Sequence, residues 1–258
     1  MRALASALML VLGTSAALAS TETDRLIDAL GIPALIAAFS TEGIEAGAAI
    51  NDGFLDGQGG DVWTETVRRL YDPARLEAEL RSGFAASLDP AVTAQALLFF
   101  ESDLGVRLVE FEVQARQAML NPELEAAARA APSAASDTIT AFLAVRDLVA
   151  RNADATLAAQ AAFFAGLASA ASRPVPVPDI EAQRENVMAE TESWLRGYYA
   201  LAQSPLSADD VAIYTAFWET DVGQALDDAL FKAFGASYAS LSYGLGQAAG
   251  RRLPQNEL

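Results

Sequence analysis

The stretch FFESDLG, residues 99 to 105, combines aromatic, acidic and hydroxyl side chains and closes on a glycine. The chain repeats this pattern as FWETDVG at residues 217 to 223. A pair of such stretches is typical either of catalytic machinery or of a joint between two helices that the fold uses twice. The residue types favour the joint, because nearly every one of them has a structural role at a helix boundary.

The hydroxyl and acidic residues predict where the second helix of each joint begins. Ser102 and Thr220 are strong N-cap residues, whose side-chain oxygen accepts a hydrogen bond from a backbone N–H of the new helix. Asp103 and Asp221 would then occupy the first helical position, where a negative charge suits the positive end of the helix dipole.

The glycines and the aromatic residues of the joint predict close packing. Gly105 and Gly223 would lie inside the first turn, where a missing side chain lets another helix or an aromatic ring approach. Adjacent aromatic residues point in different directions on a helix, so at least one ring of each pair is expected in the core. The pairs are Phe99 with Phe100 and Phe217 with Trp218.

The joints are part of a longer internal repeat. An offset of 118 residues superposes LDPAVTAQALLFFESDLGVRL (88–108) on LSADDVAIYTAFWETDVGQAL (206–226) without a gap. This predicts two related helical units, residues 20–130 and 131–258. The units could also share one compact domain, because half of such a pair need not bury its apolar face alone.

Helical periodicity extends over most of the chain, and strictly alternating Val/Ile/Thr runs are absent from the sequence. We therefore predict an all-α fold, a multi-helix bundle of about ten helices built from two related halves. A short helical turn could follow Pro122, GFLDGQGGD (53–61) reads as a loop, and SRPVPVPD (172–179) reads as an extended connector. The predicted helices are 22–39, 41–55, 61–71, 73–86, 90–101, 103–120, 133–150, 153–171, 180–203, 207–219 and one from 221.

The first residues, MRALASALMLVLGTSAALAS, predict export. Arg2 provides a positive start, an apolar region follows through Leu12, and Ala17-Leu18-Ala19 gives the small-x-small pattern of a cleavage site. We expect a Sec-type signal peptide, residues 1–19, and a periplasmic location. A retained N-terminal anchor is the alternative, and no later run is long and apolar enough to span a bilayer.

Composition excludes several classes of function. The net charge is −17 and the only lysine is Lys232, so the clustered basic residues that bind nucleic acid or anionic membranes are missing. The acidic excess favours solubility and a cationic partner. Because the chain has no cysteine and no histidine, Ser-His-Asp and Cys-His nucleophiles cannot form, and zinc sites lose their usual ligands.

Carboxylate chemistry remains as a functional alternative for the joints. Glu101, Asp103, Glu219 and Asp221 could converge as an oxygen site of the calcium type. Glu101 or Glu219 could instead act as a general acid, as in the helical lytic transglycosylases, whose catalytic helix ends with Glu-Ser. The glycine-rich stretch that those enzymes place soon afterwards does not follow Ser102.

Residues 206–226 resemble the core pattern of the domain of unknown function 2059 family, a group of helical, mostly exported bacterial proteins. The opening RLIDALGIPALI (25–36) is similar to the lead-in of such proteins, and an aspartate replaces their usual proline after the hydroxyl residue. The resemblance implies a helical fold and export, and it implies no catalytic residues. It rests on Leu206, Asp209-Asp210, Phe217-Trp218, Thr220, Asp221, Gly223 and Leu226, and on Phe99-Phe100, Ser102, Asp103, Gly105 and Leu108 in the first half.

We expect a non-enzymatic periplasmic protein without a cofactor, binding a protein partner or an apolar ligand in a groove between its halves. The competing expectation is a glycan-cleaving enzyme that uses Glu101 or Glu219. The aromatic residues expected to line the core or the groove are Phe99, Phe100, Phe217, Trp218, Tyr198, Tyr199, Tyr214 and Tyr243.

Thermal melts of single variants should separate the two interpretations of the joint. Ser102→Ala or Thr220→Ala should lose about 1 kcal/mol of stability. Glu101→Gln and Glu219→Gln should change stability little, because a capping joint does not use these carboxylates. A rise in the wild-type melting temperature with calcium, lost in Glu101→Gln, would contradict the structural interpretation.

Overall fold

The computed structural model describes residues 21–131 and 136–253, and every regular element within them is a helix. This confirms the all-α, multi-helix prediction. The predicted signal peptide and the predicted helix start at residue 133 lie outside the described residues. The elements are α1 (Thr21–Ala29), α2 (Ile32–Phe54), α3 (Gly60–Leu70), α4 (Pro73–Ala85), α5 (Pro90–Phe100), α6 (Asp103–Ala118), α7 (Pro122–Ala130), α8 (Ser136–Val145), α9 (Leu148–Ala170), a 3-10 turn (Glu181–Gln183), α10 (Arg184–Gln203), α11 (Ala208–Glu219) and α12 (Asp221–Gly250).

Helix α12, with 30 residues, is the centre of the bundle. It lies beside α9 and also packs against α2, α3, α4, α5 and α11. The two helices run in the same direction, since Arg151 near the start of α9 meets Asp227 of α12, and the end of α9 meets Gly250. Helix α10 packs against α6, α7, α8 and α9 and closes the other side of the core.

The break between the first two helices lies at residues 30–31, so the predicted break at residue 40 is wrong. Gly31 adopts a left-handed conformation with φ of +66°, which glycine reaches without strain, and Pro33 follows in the first turn of α2. Ser40 and Thr41 do not cap a helix start. The Ser40 hydroxyl donates to the carbonyl of Tyr71, and that of Thr41 donates to Ala37 one turn earlier.

The break between α8 and α9 lies at Arg146–Asp147, so the prediction of a break at residues 151–152 is also wrong. Asp147 takes a left-handed φ of +49°. The side chain of Asn152 donates to the carbonyl of Leu148 within α9, which explains why this polar residue does not end a helix. A left-handed residue thus joins α8 to α9 as Gly31 joins α1 to α2. The relation between the halves stays a prediction.

Smaller corrections concern the connections. The turn predicted after Pro122 is a nine-residue helix, α7, whose start is capped by Asn121. The loop predicted over residues 53–61 is shorter, because α2 continues to Phe54 and α3 begins at Gly60. Residues 172–179 contain no helix, as predicted.

The predicted capping bonds are present at both joints. The Ser102 hydroxyl oxygen accepts from the backbone N–H of Gly105 at 3.1 Å, and that of Thr220 accepts from Gly223 at 3.0 Å. Asp103 and Asp221 are the first residues of α6 and α12.

The joint glycines face the backbone at the end of the preceding helix, which is the helix that approaches closely. A Cβ atom on Gly105 would lie 2.6 Å from Cα of Phe100, and one on Gly223 would lie 2.7 Å from Cα of Trp218. The glycines therefore allow the chain to fold back tightly on itself.

Among the described residues no single helix is long and apolar enough to cross a membrane, although α1 and α2, bent by 62°, meet the length and composition test together.

Alanine substitutions should separate tight glycines from a free one. Gly105→Ala and Gly223→Ala should each lose about 1–3 kcal/mol, because the new Cβ forces the backbone of the joint apart. The control is Gly235→Ala in α12, where a Cβ meets no atom within 4 Å, and it should gain about 0.5–1 kcal/mol. Urea denaturation gives the three differences. Equal effects at the three positions would contradict the tight fold-back.

Candidate functional site

The structure brings the aromatic residues of the two joints together. The ring of Phe99 stacks on that of Phe217 with centroids 4.2 Å apart and planes inclined by 17°. Phe100 lies 6.0 Å from Trp218. Each ring thus meets the residue that occupies the same position in the other joint. Pairs of this kind each contribute about 0.5–1.5 kcal/mol beyond the burial of apolar surface.

The acids of the joints point outward. Glu101, Asp103, Glu219 and Asp221 are all exposed. Glu101 borders a shallow groove, and both of its carboxylate oxygens accept hydrogen bonds from Nη2 of Arg25 at 2.8 and 2.7 Å. Within the described ranges, no group of three or more acidic residues is arranged to hold a metal ion. Both glutamates are exposed, whereas a general acid of this type lies in a desolvated cleft.

Beneath the stacked rings lies a cavity of about 320 Å³, which we call the aromatic cavity. Its walls come from the α1–α2 and α8–α9 turns and from α6, α10, α11 and α12. Five of the eight aromatic residues expected at a core or groove line it and are buried, namely Phe100, Tyr198, Tyr199, Tyr214 and Trp218. Phe99 and Phe217 are half-buried above it, and Tyr243 lies elsewhere, 39% exposed.

A second space of about 360 Å³, the adjoining cavity, lies next to the aromatic cavity between α2, α4, α6, α9, α10 and α12. Its other lining residues are mostly apolar, such as Ile36, Phe39, Leu76 and Leu80. The two cavities share a wall, because both are lined by Leu35, Asn152, Tyr198, Phe231 and Phe234.

The polar groups of the aromatic cavity centre on Glu112 of α6. The hydroxyl of Tyr214 donates to Oε1 of Glu112 at 2.9 Å. The hydroxyl of Tyr198 donates to the backbone carbonyl of the same residue at 3.2 Å. Two of the tyrosines that line the cavity are therefore hydrogen-bonded to the same residue, Glu112.

A buried ion pair closes the cavity on the side of α12. Arg146 donates to Oδ1 of Asp227 through Nε at 3.1 Å and Nη2 at 2.5 Å, and their side chains are only 10% and 4% exposed. The guanidinium of Arg146 lies 3.8 Å from the ring centroid of Trp218, a cation–π contact. Arg151 reaches the second oxygen of Asp227 at 3.3 Å. Removing one partner of such a pair would leave a buried charge uncompensated.

Burial controls ionisation in this cavity. Loss of hydration raises the pKa of the Glu112 carboxyl, and the nearby Arg146 charge and the Tyr214 hydrogen bond offset this only in part. Burial also raises the pKa values of Tyr198, Tyr199 and Tyr214. The tyrosines are therefore neutral hydrogen-bonding groups at physiological pH, and Glu112 tends toward its neutral form.

Sequence reasoning missed the charged residues of the cavity. Asp227 could have been found, because it interrupts the apolar face of α12 directly beside Leu226. Arg146 and Glu112 carry no such signal, since a single charge in a helical pattern normally faces solvent.

The arrangement suits binding of a small molecule. Apolar and aromatic walls with a few convergent polar groups are typical of ligand sites, whose volumes run from about 300 to 1,000 Å³. The comparisons add no relative to this picture. No family model, no curated protein and no solved structure matches the chain. The resemblance to the domain of unknown function 2059 family stays a prediction.

The raised pKa of Glu112 predicts a pH-dependent effect of Glu112→Gln. A carboxyl whose folded pKa lies above its unfolded value of about 4.3 destabilises the folded state increasingly as the pH rises through that interval. The neutral amide escapes this loss and can still accept from Tyr214. Urea denaturation should show equal stabilities near pH 4 and a more stable variant at pH 8, by about 1.4 kcal/mol for each unit of elevation.

The matched control is Glu110→Gln, which removes an exposed carboxylate two residues earlier on α6. Its stability difference from the wild type, measured at the same pH values, is the reference for the Glu112→Gln difference. If the Glu112→Gln difference followed this reference at every pH, Glu112 would be ionised in the folded state without penalty.

Proposed function

We propose that this protein binds a small, mostly apolar molecule in the space formed by the aromatic and adjoining cavities. The observation that carries the proposal is the presence of two adjacent, largely apolar cavities between the helices, which share five lining residues. We further propose that binding, and no catalysis, is the role of the protein, and that it acts in the periplasm after removal of residues 1–19.

The shape of the site supports an elongated ligand. The adjoining cavity offers apolar walls from α2 and α4, and the aromatic cavity ends at Glu112 and the Arg146–Asp227 pair. A molecule with an apolar body and one polar end would match both parts. Its apolar body would gain roughly 25 cal/mol for each Å² of apolar surface removed from water.

The cavity is also one that the fold could have filled but did not. Elsewhere the bundle is tightly packed, as at Gly166 and Gly246, where the backbones of α9 and α12 touch. Well-formed pockets of this size with apolar walls are few in a protein and are typical of ligand sites. A retained space of this size beside such tight packing favours a functional use.

A side chain that fills the adjoining cavity should block binding without unfolding the protein. Gly235 lines this cavity, and a Cβ placed on it meets no atom within 4 Å. In Gly235→Leu we expect the fluorescence of bound Nile red, a neutral apolar dye, to fall by about tenfold or more. Stability should not decrease, which a thermal melt would verify.

The matched control is Gly53→Leu, at the end of α2, where a Cβ also meets no atom and which lines neither cavity. It should bind Nile red like the wild type. Native mass spectrometry of the purified protein gives a second measure, a co-purified molecule present in Gly53→Leu and absent in Gly235→Leu. Equal dye binding by both variants, or none by the wild type, would overturn the proposal.

A further inference from the structure

Glu112 has an unused hydrogen-bonding atom in the aromatic cavity. Its Oε1 accepts from Tyr214, whereas no donor among the described residues reaches Oε2. The residue lines the cavity, so an occupant can meet this oxygen. Glu112 is half-buried, and a ligand group that enters the cavity could donate a hydrogen bond to this second oxygen.

The charges around the cavity do not balance when Glu112 is ionised. Arg146 and Asp227 cancel each other, and Arg151 is shared between Asp227 and the exposed Asp228 at 2.8 Å. An ionised Glu112 therefore adds one uncompensated negative charge. In the empty protein a proton can compensate it, and in the bound protein a ligand cation can do so.

Arg146 does not take the place of that cation. Its Nε and Nη2 atoms both donate to Asp227, and one face of its guanidinium lies on Trp218. No hydrogen bond joins it to Glu112 within the described part of the chain. Its charge is thus shared with Asp227 and offsets the burial of Glu112 only in part.

The walls near Glu112 are suited to a positive charge. Tyr198, Tyr199 and Tyr214 surround this residue, and the faces of aromatic rings attract cations. The combination of a carboxyl and several tyrosine rings is a recognised way to hold an organic ammonium group. The net charge of −17 would also draw a cation toward the protein.

We propose that the bound molecule is a monocationic amphiphile, an aliphatic amine whose ammonium group meets Oε2 of Glu112 and whose chain lies in the adjoining cavity. This inference rests on the proposed function and names the class of its ligand. The ammonium group donates to the carboxylate, and Glu112 releases its proton when the amine binds.

Binding of the amine should therefore strengthen with rising pH. The charged and titratable groups that face Glu112 are Arg146 from the α8–α9 turn, Tyr198 and Tyr199 from α10, Tyr214 from α11 and Asp227 from α12, with Arg116 one turn later on α6. Tyr198, Tyr199, Tyr214 and Arg146, whose pKa values are raised, keep their protonation states between pH 5 and 8. Glu112 is the member of this set whose raised pKa moves toward that range.

Three ligands with one chain and different heads test the inference, namely decylamine, decanol and decanoate. Isothermal titration calorimetry at pH 8 should show one site per chain that prefers the amine to the alcohol by about tenfold, with the acid weakest. The amine affinity should rise severalfold from pH 5 to 8, and the alcohol affinity should stay constant.

Glu112→Gln should abolish the preference for the amine while retaining decanol binding, which also shows that the variant is folded. Glu110→Gln removes one of the same 34 acids from an exposed position on the same helix and should keep the preference. This control separates specific recognition from general attraction to an acidic protein.

The outcomes distinguish the two proposals. If none of the three compounds binds, the proposed function fails. If they bind with the alcohol or the acid preferred, or if Glu112→Gln keeps the preference for the amine, only the assignment of a cationic ligand is overturned. The pH series on the wild type decides the same point without any variant, since an amine affinity that does not vary with pH would overturn it.

Discussion

The buried pair of Arg146 and Asp227 is the interaction on which the centre of the molecule depends. Arg146 lies in the turn between α8 and α9, and Asp227 lies in the second turn of α12, so the pair fixes the position of one helix pair against the central helix. Trp218, at the end of α11, covers the guanidinium. Arg146 thus connects the turn between α8 and α9, the central helix α12 and the second joint.

Such a pair does not by itself make a protein stable. Desolvation of two charges can cost as much as their attraction returns, and a well-packed apolar core would often serve stability equally well. The pair provides fixed polar groups at one side of the aromatic cavity, whose walls are otherwise mostly apolar and aromatic. Because Asp227 uses both oxygens on two arginines, Glu112 is the carboxyl of the cavity that has an oxygen left for an occupant.

The sequence was sufficient for the local rules of this fold and insufficient for its polar interior. Caps, first-turn acids and Asp-Pro or Asn-Pro starts act within a few residues, so Ser102, Thr220 and Asn121 could be placed correctly. The breaks between α1 and α2 and between α8 and α9 were predicted at the wrong residues because Ser40 and Asn152 are good capping residues. In the structure the Ser40 side chain instead forms a hydrogen bond between two elements, and the Asn152 side chain forms one within its helix. The neighbouring sequence does not distinguish a side chain that caps a helix from one that lies inside a helix, since the outcome depends on which distant element packs beside it.

The cavity could not be predicted from the sequence for the same reason, because it depends on contacts between elements that are distant in the chain. Tyrosines 198, 199 and 214 were recognised as core or groove residues, but the hydroxyls of Tyr198 and Tyr214 meet at Glu112 only because α10 packs against α6 and α11 brings Tyr214 to the same residue. A lone glutamate between Phe111 and Val113 carries no mark of burial. Its surroundings follow from α10 and α11, which are distant from α6 in the chain.

The position of the joints explains why their conspicuous acids lie outside the cavity. At each joint the helix turns so sharply that neighbouring residues face opposite ways. Phe100 and Trp218 point inward and line the cavity, while Glu101 and Glu219, the next residues along the chain, are exposed. The conspicuous acids thus mark the outer side of two turns whose inner side shapes the cavity. We infer that the functional carboxyl of this fold is the inconspicuous one, Glu112, because it alone combines desolvation, a free oxygen and aromatic neighbours among the carboxyls that the structure describes.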